Sequence, residues 1–271
     1  MNDLVVVRGG GDIATGTISK LHNCGFRVII LEKEFPSSIR RKVSFSEAIY
    51  DGEQYVEGIR CVYSNNNDRT FEILEEGDIP IVIDEKCDIL SVTSPLALVD
   101  AILAKKNTHM TIDMAPITIG LGPGFTAGVD VHAVIETMRG HDLGRIIHEG
   151  NAIKNTGRPG KIGGYDIERV IHSPAIGNIV QLNDIGDYVQ EGQIIARVGK
   201  ANIYASLTGI LRGIIRNGYY VTKGMKIADI DPRKNQFDNC FTISDKARCI
   251  AGGVLEAILN FKGKLHPDKL F

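Results

Sequence analysis

The carboxyl-terminal part of the chain contains a sequence repeat with an offset of 32 residues. Residues 177–198 return as residues 209–230. The matched positions are glycines and apolar residues, namely Gly177, Gly186, Val189, Gly192, Ile195 and Ala196 in the first copy and Gly209, Gly218, Val221, Gly224, Ile227 and Ala228 in the second. Each copy alternates short β-rich runs with glycine turns, which indicates a small sheet with one apolar face. Because each copy can bury that face only against the other, the repeat predicts one compact, paired β module.

This β module resembles the barrel-sandwich hybrid of biotinyl and lipoyl domains, in which a lysine between the two halves carries a swinging cofactor. The joining segment, residues 197–202, is shorter than in that pattern, and either Val198 or Asn202 falls at the lysine position. Lys200 lies between them without the usual flanking residues. We therefore expect a scaffold module without covalent lipoate or biotin, and lipoylation or biotinylation is the less favoured alternative.

The amino-terminal segment has the pattern of a dinucleotide-binding βαβ unit. A continuous β-branched run, residues 4–7, indicates a buried parallel strand. It leads into a G-x-G-x-x-[GA] turn that opens a helix, and a second apolar run ends in Glu32. The pattern predicts a Rossmann-like parallel sheet. Asp12 departs from the usual nucleotide pattern, because its carboxylate can cap the helix itself or repel a phosphate. A capped helix end without a ligand is therefore an equal alternative.

If a ligand does bind this segment, its contacts are expected at the glycine turn and at the polar residues after the second strand. The candidate cofactor-binding residues here are Gly9, Gly10, Gly11, Asp12, Ala14, Glu32, Arg40 and Arg41. Glu32 suits a ribose hydroxyl and the two arginines suit phosphate, although each also fits a solvated surface position.

Residues 96–106 fit either a helix or a strand. Ser94 and Pro95 form a helix start signal, so a helix with a solvated Asp100 is favoured. A strand would instead place Asp100 at a sheet edge near Lys105 and Lys106, where it becomes a weak candidate for acid–base chemistry.

The middle of the chain has a second glycine-rich turn that is followed by polar residues. Residues 120–125 read Gly-Leu-Gly-Pro-Gly-Phe, whose backbone N–H groups suit an anion, although the turn lacks the Gly-Lys-Ser/Thr ending of a P-loop. A hairpin of residues 129–136 and 145–148 would bring acidic, imidazole and guanidinium groups together across the strands. The groups concerned are Asp130, His132, Glu136, Arg139, His141 and Arg145.

Three interpretations of this middle segment remain open: hydrogen-bonded turn histidines, an oxyanion or phosphate pocket, and a metal site. The spacing lacks any tight metal-ligand motif, so no metal is expected. The candidate cofactor-binding residues are Gly120, Gly122, Pro123, Gly124, Phe125, Asp130 and Arg139, and His132 and His141 join Asp100 as weak catalytic candidates.

The last long apolar pattern indicates an amphipathic helix. Ser244 is a capping residue at its start and Gly263 marks its expected end. Gly252 and Gly253 in its middle each cost about 1 kcal/mol of helix stability, which predicts close packing against the amino-terminal sheet. The expected fold is therefore α/β plus β. It consists of a Rossmann-like domain (1–115), a β-rich segment (116–168), a barrel-sandwich hybrid (169–232) and a terminal helix (233–271).

Composition limits the class of protein. A formal net charge of −2 disfavours a broad nucleic-acid-binding surface. Five cysteines without a C-x-x-C pair favour a reducing compartment. No apolar run approaches the roughly 20 residues of a membrane span, and the amino end shows no signal sequence. These features predict a cytoplasmic protein that does not interact with membranes.

Motifs along nearly the whole chain resemble one family, the selenium-dependent molybdenum hydroxylase system proteins of the YqeB type. They are VVVRGGGDIATG, IRRKVSFSEAIYDG, IGLGPGFTAGVDVHAVIETMRGHDLGRII, NTGRPGKIGGY, LRGIIRNGYYVTKG and DIDPR…ISDKARCIAGGVLEAIL. The first βαβ unit also resembles XdhC-type accessory proteins. The resemblance implies an accessory role in maturing or inserting the selenium-containing molybdenum cofactor of hydroxylases such as xanthine dehydrogenase. It implies molybdopterin or its cytosine dinucleotide as the ligand and hydroxylase subunits as partners.

Two other functions stay open from the residues alone. The glycine turn with Glu32 also fits an NAD(P)-dependent oxidoreductase, and the β module also fits a non-catalytic docking scaffold. Whether the chain catalyses a reaction, and whether it forms a homo-oligomer, is left open by the sequence.

Overall fold

The computed structural model describes residues 3–158 and 160–265, and these divide into two compact units. Within the described ranges, unit 1 comprises residues 3–36, 44–155 and 243–265, and unit 2 comprises residues 37–43, 156–158 and 160–242. The division therefore differs from the four segments expected from the sequence. Most of the middle segment and the terminal helix belong to the same unit as the amino-terminal strands.

Unit 1 contains eleven strands and four α-helices within its described residues. The strands are β1 (Leu4–Arg8), β2 (Arg27–Glu32), β3 (Glu53–Val56), β4 (Ile59–Ser64), β5 (Ile79–Ile83), β6 (Ala97–Asp100), β7 (Ile117–Leu121), β8 (Thr126–Ala127), β9 (Ala133–Ile135), β10 (Ile146–Ile147) and β11 (Gly150–Asn151). The helices are α1 (Asp12–Asn23), α2 (Ala48–Asp51), α3 (Asn67–Glu75) and α4 (Asp245–Leu265).

Nine of these strands form one mixed sheet in the order β10-β9-β7-β6-β1-β2-β5-β4-β3. The seven inner strands are parallel, while the edge strands β3 and β10 pair antiparallel with β4 and β9. β1 lies in the interior of the sheet and is buried along its whole length, as its β-branched sequence predicts. The short strands β8 and β11 pair with each other outside this sheet.

The Rossmann-like parallel sheet expected for residues 1–115 is wrong in two respects. The sheet is mixed, and its strands β7, β9 and β10 come from residues beyond 115. A doubly wound sheet also needs a helix in each crossover. Residues 101–116 and 122–132, all within the described ranges, contain no α-helix, only the 3₁₀ turn Ile112–Met114.

The sequence patterns identify several local elements of unit 1 correctly. The β1–α1–β2 unit is present, and β9 and β10 form the antiparallel pair expected in the middle segment. The favoured helix over residues 96–106 is wrong, because Ala97–Asp100 form strand β6. This strand pairs with β1 and β7 and is buried at every position. Burial between two parallel neighbours outweighs the start signal at Ser94 and Pro95.

Helix α4 packs against α1 and against β7, β9 and β10 at one end of the sheet. Its cap is the predicted one, since the Ser244 hydroxyl accepts the Ala247 N–H at 3.2 Å, but the helix continues past Gly263 to Leu265. A Cβ at Gly16 of α1 would lie 2.7 Å from the Cβ of Ala247. The two helices therefore cross at a distance that only glycine allows.

Unit 2 contains eight described strands that form two four-stranded sheets. They are β12 (Val170–His172), β13 (Gly177–Gln181), β14 (Tyr188–Val189), β15 (Ile194–Val198), β16 (Ala201–Tyr204), β17 (Gly209–Ile214), β18 (Tyr220–Val221) and β19 (Lys226–Asp231). The sheet orders are β12-β19-β17-β14 and β16-β15-β13-β18, with antiparallel pairing throughout.

The sequence repeat appears directly in these sheets. Strands β13, β14 and β15 begin 32 residues before β17, β18 and β19. The copies exchange one strand, because β14 pairs with β17 and β18 pairs with β13. Isoleucine, valine, leucine and alanine side chains from both copies fill one common core. The prediction that the two copies bury their apolar faces together is therefore confirmed.

The expected barrel-sandwich hybrid is wrong, because these strands form two separate antiparallel sheets. Each sheet also has a fourth strand, β12 or β16, that lies outside the matched repeat. The joining segment forms a tight turn, in which only Gly199 and Lys200 separate β15 from β16.

Candidate functional site

Parallel strands of one sheet end at the same edge, which is where open α/β sheets bind ligands. In unit 1 this carboxyl edge comprises the ends of the seven parallel strands β1, β2, β4, β5, β6, β7 and β9, which are Arg8, Glu32, Ser64, Ile83, Asp100, Leu121 and Ile135. Most of the residues nominated in unit 1 lie at this edge or in the turns that follow it.

The first glycine turn is closed by groups of the protein itself. The Gly10 N–H donates to Oε2 of Glu32 at 2.9 Å, and the Gly10 carbonyl accepts the N–H of Ser46 at 2.9 Å and the hydroxyl of Thr15 at 3.2 Å. A Cβ at Gly10 would lie 2.9 Å from the Ser46 nitrogen. The turn has the expected shape, with Gly9 at a φ of +95°, but the Gly10 amide expected to face a pyrophosphate is bonded to Glu32.

Glu32 is held in place by this turn. Its second oxygen, Oε1, accepts the backbone N–H of Lys33 at 2.9 Å. Burial raises the pKa of the Glu32 carboxyl, and the N–H donors of Gly10 and Lys33 oppose that rise. Glu32 thus stabilises the turn, in place of the ribose contact expected from the sequence.

The start of α1 differs from the sequence-based expectation. Gly11 is the N-cap residue, without a side-chain capping bond, and Asp12 lies in the first helical turn. Asp12 is therefore not the N-cap residue. Ala14 is buried on the helix.

Arg40 and Arg41 belong to unit 2, and their guanidinium groups bond within it. Arg40 Nη2 donates to the carbonyls of Asn239 and Thr242 at 2.9 and 3.1 Å. Arg41 Nε donates to the carbonyl of Ile214 at 2.8 Å, and its Nη2 pairs with Asp184 at 2.7 Å. Both arginines thus bond to partners within unit 2, whereas Glu32 lies in unit 1.

A buried ion pair joins the ends of β1 and β6. Arg8 Nη1 donates to Asp100 Oδ2, and the other Asp100 oxygen accepts the N–H of Ile102 at 3.1 Å. Burial raises the pKa of Asp100, and the Arg8 guanidinium opposes that rise. Asp100 is completely buried, whereas Lys105 and Lys106 are exposed. The acid therefore has an arginine partner that the sequence analysis missed. The only sequence signal for it is a cation at the end of an otherwise apolar strand.

The second glycine turn is filled by side-chain and backbone atoms of the protein itself. Phe125 is buried in the core of unit 1, and a Cβ at Gly120 would lie 2.3 Å from its ring. The Gly122 N–H donates to the carbonyl of Ile135 at 2.9 Å, and a Cβ at Gly124 would lie 2.7 Å from the carbonyl oxygen of Ala104. Pro123 is partly exposed between these contacts.

The carboxylates after this turn accept hydrogen bonds from backbone N–H groups. Asp130 Oδ2 accepts the N–H of Thr126 at 2.8 Å. Glu136 is buried, and its oxygens accept the N–H groups of Met138 and Ile153 at 2.7 and 2.8 Å. These carboxylates therefore hold loops in place.

His132 is held as a neutral ring. Its Nδ1 accepts the backbone N–H of Thr118 at 3.1 Å, which requires that nitrogen to be unprotonated. Burial lowers the pKa of His132, and the ring meets Phe261 edge-on at a centroid distance of 5.8 Å. This agrees with the interpretation of a hydrogen-bonded turn histidine.

The cations of the middle segment lie at the surface. Arg139 forms a bidentate ion pair with Asp245, with N–O distances of 2.7 and 3.0 Å, and Arg145 pairs with Asp142 at 2.8 Å. His141 is exposed. Arg139 and Arg145 thus have separate carboxylate partners. Within residues 3–158 and 160–265, no group of three histidine, cysteine, aspartate or glutamate side chains is arranged to hold a metal.

The carboxyl edge also contains a cavity of about 320 Å³ that the sequence analysis did not identify. It lies where β4 and β5 end and where α3 begins. Polar side chains line it, including Ser64, Asn65, Asn67, Asp84 and Asp88. Its sequence signal is the run of three asparagines after one buried strand, with an acid directly after the next strand.

No protein-family model matches the chain. It is 50% identical over 259 residues to the uncharacterized protein YqeB of Escherichia coli strain K12, a match that covers 95% of this chain and 48% of that protein. The chain is similar to YqeB over nearly its whole length. It spans about half of the length of that curated relative. The identity supports the YqeB part of the family resemblance and assigns no activity to the chain.

Similar solved structures include two types of protein. One is a product-bound ectoine utilization protein, EutE, from Ruegeria pomeroyi, with 12% identity, a TM-score of 0.24 and coverage of 83% of this chain and 56% of that chain. The other is a succinylglutamate desuccinylase/aspartoacylase from Rhodobacter sphaeroides, with 11% identity, a TM-score of 0.29 and 86% coverage of both chains. TM-scores this low support no functional inference.

Five of the similar structures are described as ectoine-utilization, desuccinylase or aspartoacylase proteins. The structure itself corrects two of the features that pointed to nucleotide binding, since the sheet is mixed and the Gly10 amide is bonded to Glu32. In the described part of the chain, no helix has the length and apolar character needed to cross a membrane.

The nominated residues do not fit the cofactor that the family resemblance implies. A molybdopterin dinucleotide is a polyanion, which needs available N–H groups and cations. The Gly10 amide is taken by Glu32, the Gly122 amide by Ile135 and the Arg139 guanidinium by Asp245. Molybdopterin or its cytosine dinucleotide therefore stays a prediction from the resemblance, without a binding site among these residues.

Proposed function

We propose that this chain is an accessory protein in the maturation or insertion of the selenium-containing molybdenum cofactor of molybdenum hydroxylases. The observation that carries the proposal is the 50% identity to YqeB over 95% of the chain, taken with the motif resemblance to the YqeB-type hydroxylase-system family. Because the chain spans about half of YqeB, the proposal concerns the part of the function that this half supplies.

The geometry of unit 1 favours an accessory role over catalysis of the hydroxylase reaction. An acid–base catalyst needs a titratable group within reach of a substrate. Asp100 is fully buried against Arg8, and His132 Nδ1 accepts the Thr118 N–H. Glu136 is bonded to two backbone N–H groups. These three groups stabilise the fold, whereas the remaining candidate, His141, is exposed. The proposed action is binding and delivery, with hydroxylase subunits as the partners.

A deletion experiment in the source organism tests the proposal. Removing this chain should leave the molybdenum hydroxylase protein present but depleted of molybdenum and inactive, by about ten-fold or more, and re-expression of the chain should restore both. The molybdenum content of the purified hydroxylase is the direct readout. A molybdenum enzyme of another class is the control, and its metal content should not change. A fully loaded hydroxylase in the deletion strain would overturn the proposal.

Physical association gives an independent test. Affinity-tagged chain from the same cells should recover a hydroxylase subunit, and recovery should increase when the hydroxylase lacks its cofactor. Arg139→Ala should leave this association unchanged, because Arg139 is bonded to Asp245. If the chain recovers no hydroxylase subunit in either state, the partner assignment is wrong.

A further inference from the structure

The outward face of one sheet in unit 2 is exposed and almost without charge. Along β13, β15, β16 and β18, exposed or half-buried residues mostly alternate with residues buried in the core of unit 2. These four strands contain no aspartate or glutamate, and Arg197 is their only charged residue. Protein surfaces that bind other proteins are depleted in acidic residues at their centre, whereas tyrosine and arginine are enriched there.

The outward residues form one continuous stripe across all four strands. Each member is either the cross-strand partner of the next or lies two positions away from it on the same strand. Three strand spacings separate β18 from β16, so the stripe crosses about 14 Å of sheet. In order, this outer stripe comprises Tyr220, Asn178, Val180, Arg197, Asn202 and Tyr204.

The side chains of the outer stripe make few contacts within the protein. Tyr220, Val180 and Tyr204 are 62%, 53% and 52% exposed. The Asn202 amide donates to the Tyr204 hydroxyl at 3.3 Å. In the described part of the chain, the Arg197 guanidinium has no hydrogen bond or ion pair. The stripe therefore offers apolar surface and an uncompensated cation to a partner.

Charge complementarity selects an acidic partner. Unit 2 contains fourteen lysine and arginine residues against eight aspartate and glutamate residues, although the whole chain has a net charge of −2. Lys200, in the turn between β15 and β16, adds an exposed cation beside the outer stripe. A partner with carboxylates would therefore meet only cations on these strands and their turn. A second copy of the same stripe would instead bring two Arg197 side chains together, which disfavours self-association through this face.

The size of the face selects a short segment of the partner. The longest of the four strands has five residues, so the face measures about 14 by 17 Å. That is well below the about 800 Å² that each partner contributes to an interface of standard size. Five residues of extended chain span about 17 Å, which matches the face. A nucleic-acid strand fits less well, because its phosphates need several cations and these strands supply Arg197 alone.

We propose that the outer stripe docks a short extended segment of a partner protein in which aspartate or glutamate accompanies apolar side chains. The carboxylates pair with Arg197 and Lys200, and the apolar side chains pack on Tyr220, Val180 and Tyr204. Tyrosine and arginine are also the side chains that most often contribute strongly to binding at such contacts. The docking surface does not require the partner to be a hydroxylase subunit, so its test is separate from that of the accessory role.

Site-specific cross-linking of the full-length chain in its source cells tests the docking surface. A photoreactive benzoylphenylalanine in place of Tyr220 should cross-link to a segment of another protein, and mass spectrometry should show that this segment has a net negative charge. Arg197→Glu should lower the cross-link yield by about ten-fold or more. Lys226→Glu makes the same charge change at an exposed residue on the other sheet of unit 2, and it should change the yield by less than about two-fold. The same photoreactive residue in place of Tyr55, which is exposed on edge strand β3 of unit 1, should not cross-link to this segment.

A second variant covers the case in which Arg197→Glu alters the sheet. Tyr204→Ser changes no charge and should also lower the yield, while leaving the thermal unfolding temperature within a few degrees of that of the unchanged chain. The docking surface is overturned if position 220 yields no cross-link beyond that of position 55, if it cross-links to this chain itself, or if the captured segment lacks excess carboxylates. Equal losses from Arg197→Glu and Lys226→Glu would also overturn it, because the overall charge of unit 2 would then explain the binding. Saturable binding of a labelled oligothymidine to the purified chain, abolished by Arg197→Glu, would instead assign the stripe to nucleic acid.

Discussion

The Gly10 amide and the Glu32 carboxylate are joined by a hydrogen bond of 2.9 Å across the ends of β1 and β2. The bond places the Glu32 carboxylate against the backbone N–H that a pyrophosphate would otherwise approach. An anion could reach this amide only by displacing Glu32, whose other oxygen is bonded to Lys33. The Gly10 turn is therefore stabilised by Glu32 and does not present this N–H to a ligand.

The partly buried Glu32 carboxyl predicts a specific pH dependence. Burial raises its pKa in the folded chain above the ordinary value of 4.5, so its stabilising contribution is present below that pH and is lost as the pH rises through the raised pKa. Glu32→Gln removes the titration. The difference in free energy of unfolding, Glu32→Gln minus the unchanged chain, should therefore increase as the pH rises from 4.5 to the raised pKa. Above the raised pKa this difference should stay constant.

Urea unfolding at closely spaced pH values from about 4 to 8 measures this difference. Glu34→Gln, at an exposed neighbouring position, is the control and should follow the unchanged chain. Parallel stability curves for Glu32→Gln and the unchanged chain would contradict the assignment.

Two adjacent glycines in α4 should respond oppositely to alanine. A Cβ at Gly253 would lie 2.2 Å from the carbonyl oxygen of Gly144, whereas a Cβ at Gly252 would meet no atom within 4 Å. Gly253→Ala should lower the free energy of unfolding by about 1–3 kcal/mol through overpacking. Gly252→Ala should raise it by up to about 1 kcal/mol, because alanine favours the helix. Equal effects of the two changes in denaturant unfolding would rule out this close approach.

The Arg8–Asp100 pair should show strong coupling. Removing one partner leaves a buried charge uncompensated, so Arg8→Met or Asp100→Leu alone should cost about 3–5 kcal/mol. The double variant removes both charges and should be more stable than either single variant. A double-mutant cycle from denaturant unfolding measures this coupling, and additive effects of the two changes would be evidence against the pair.

The cysteines should divide into two classes in thiol labelling. Cys24 and Cys249 are exposed, whereas Cys61, Cys87 and Cys240 are buried. Burial raises the pKa of Cys87 to about 11 and also raises the pKa of the Cys61 thiol, so neither is an activated thiolate at neutral pH. A disulfide reagent should label two thiols rapidly in the folded chain and all five only after unfolding. Rapid labelling of Cys87 would contradict the structure.

The features predicted correctly are those that local sequence determines. The run Leu4–Val7 is apolar and β-branched at every position, and it forms a buried strand. The offset of 32 residues between Gly177 and Gly209 recurs as the offset between strands β13 and β17. In both cases the pattern of side chains alone specifies which face must be buried.

The features predicted incorrectly depend on contacts between distant residues. Asp100 is buried because Arg8, 92 residues earlier, neutralises it, and the local signal at Pro95 pointed to a helix. Phe125 appears as part of an open glycine turn in the sequence, but its ring fills the space beside Gly120. The cavity at Asp88 depends on the neighbouring positions of β4 and β5, which no short motif encodes.

The strand exchange in unit 2 has a consequence for any shortened version of this chain. Residues 177–198 alone contain β14 without its partner β17, and they contain β13 without its edge neighbour β18. A fragment with one copy would therefore expose unpaired backbone groups on both strands. The duplication places both members of each strand pair in one polypeptide, so that these backbone groups are bonded without a second molecule.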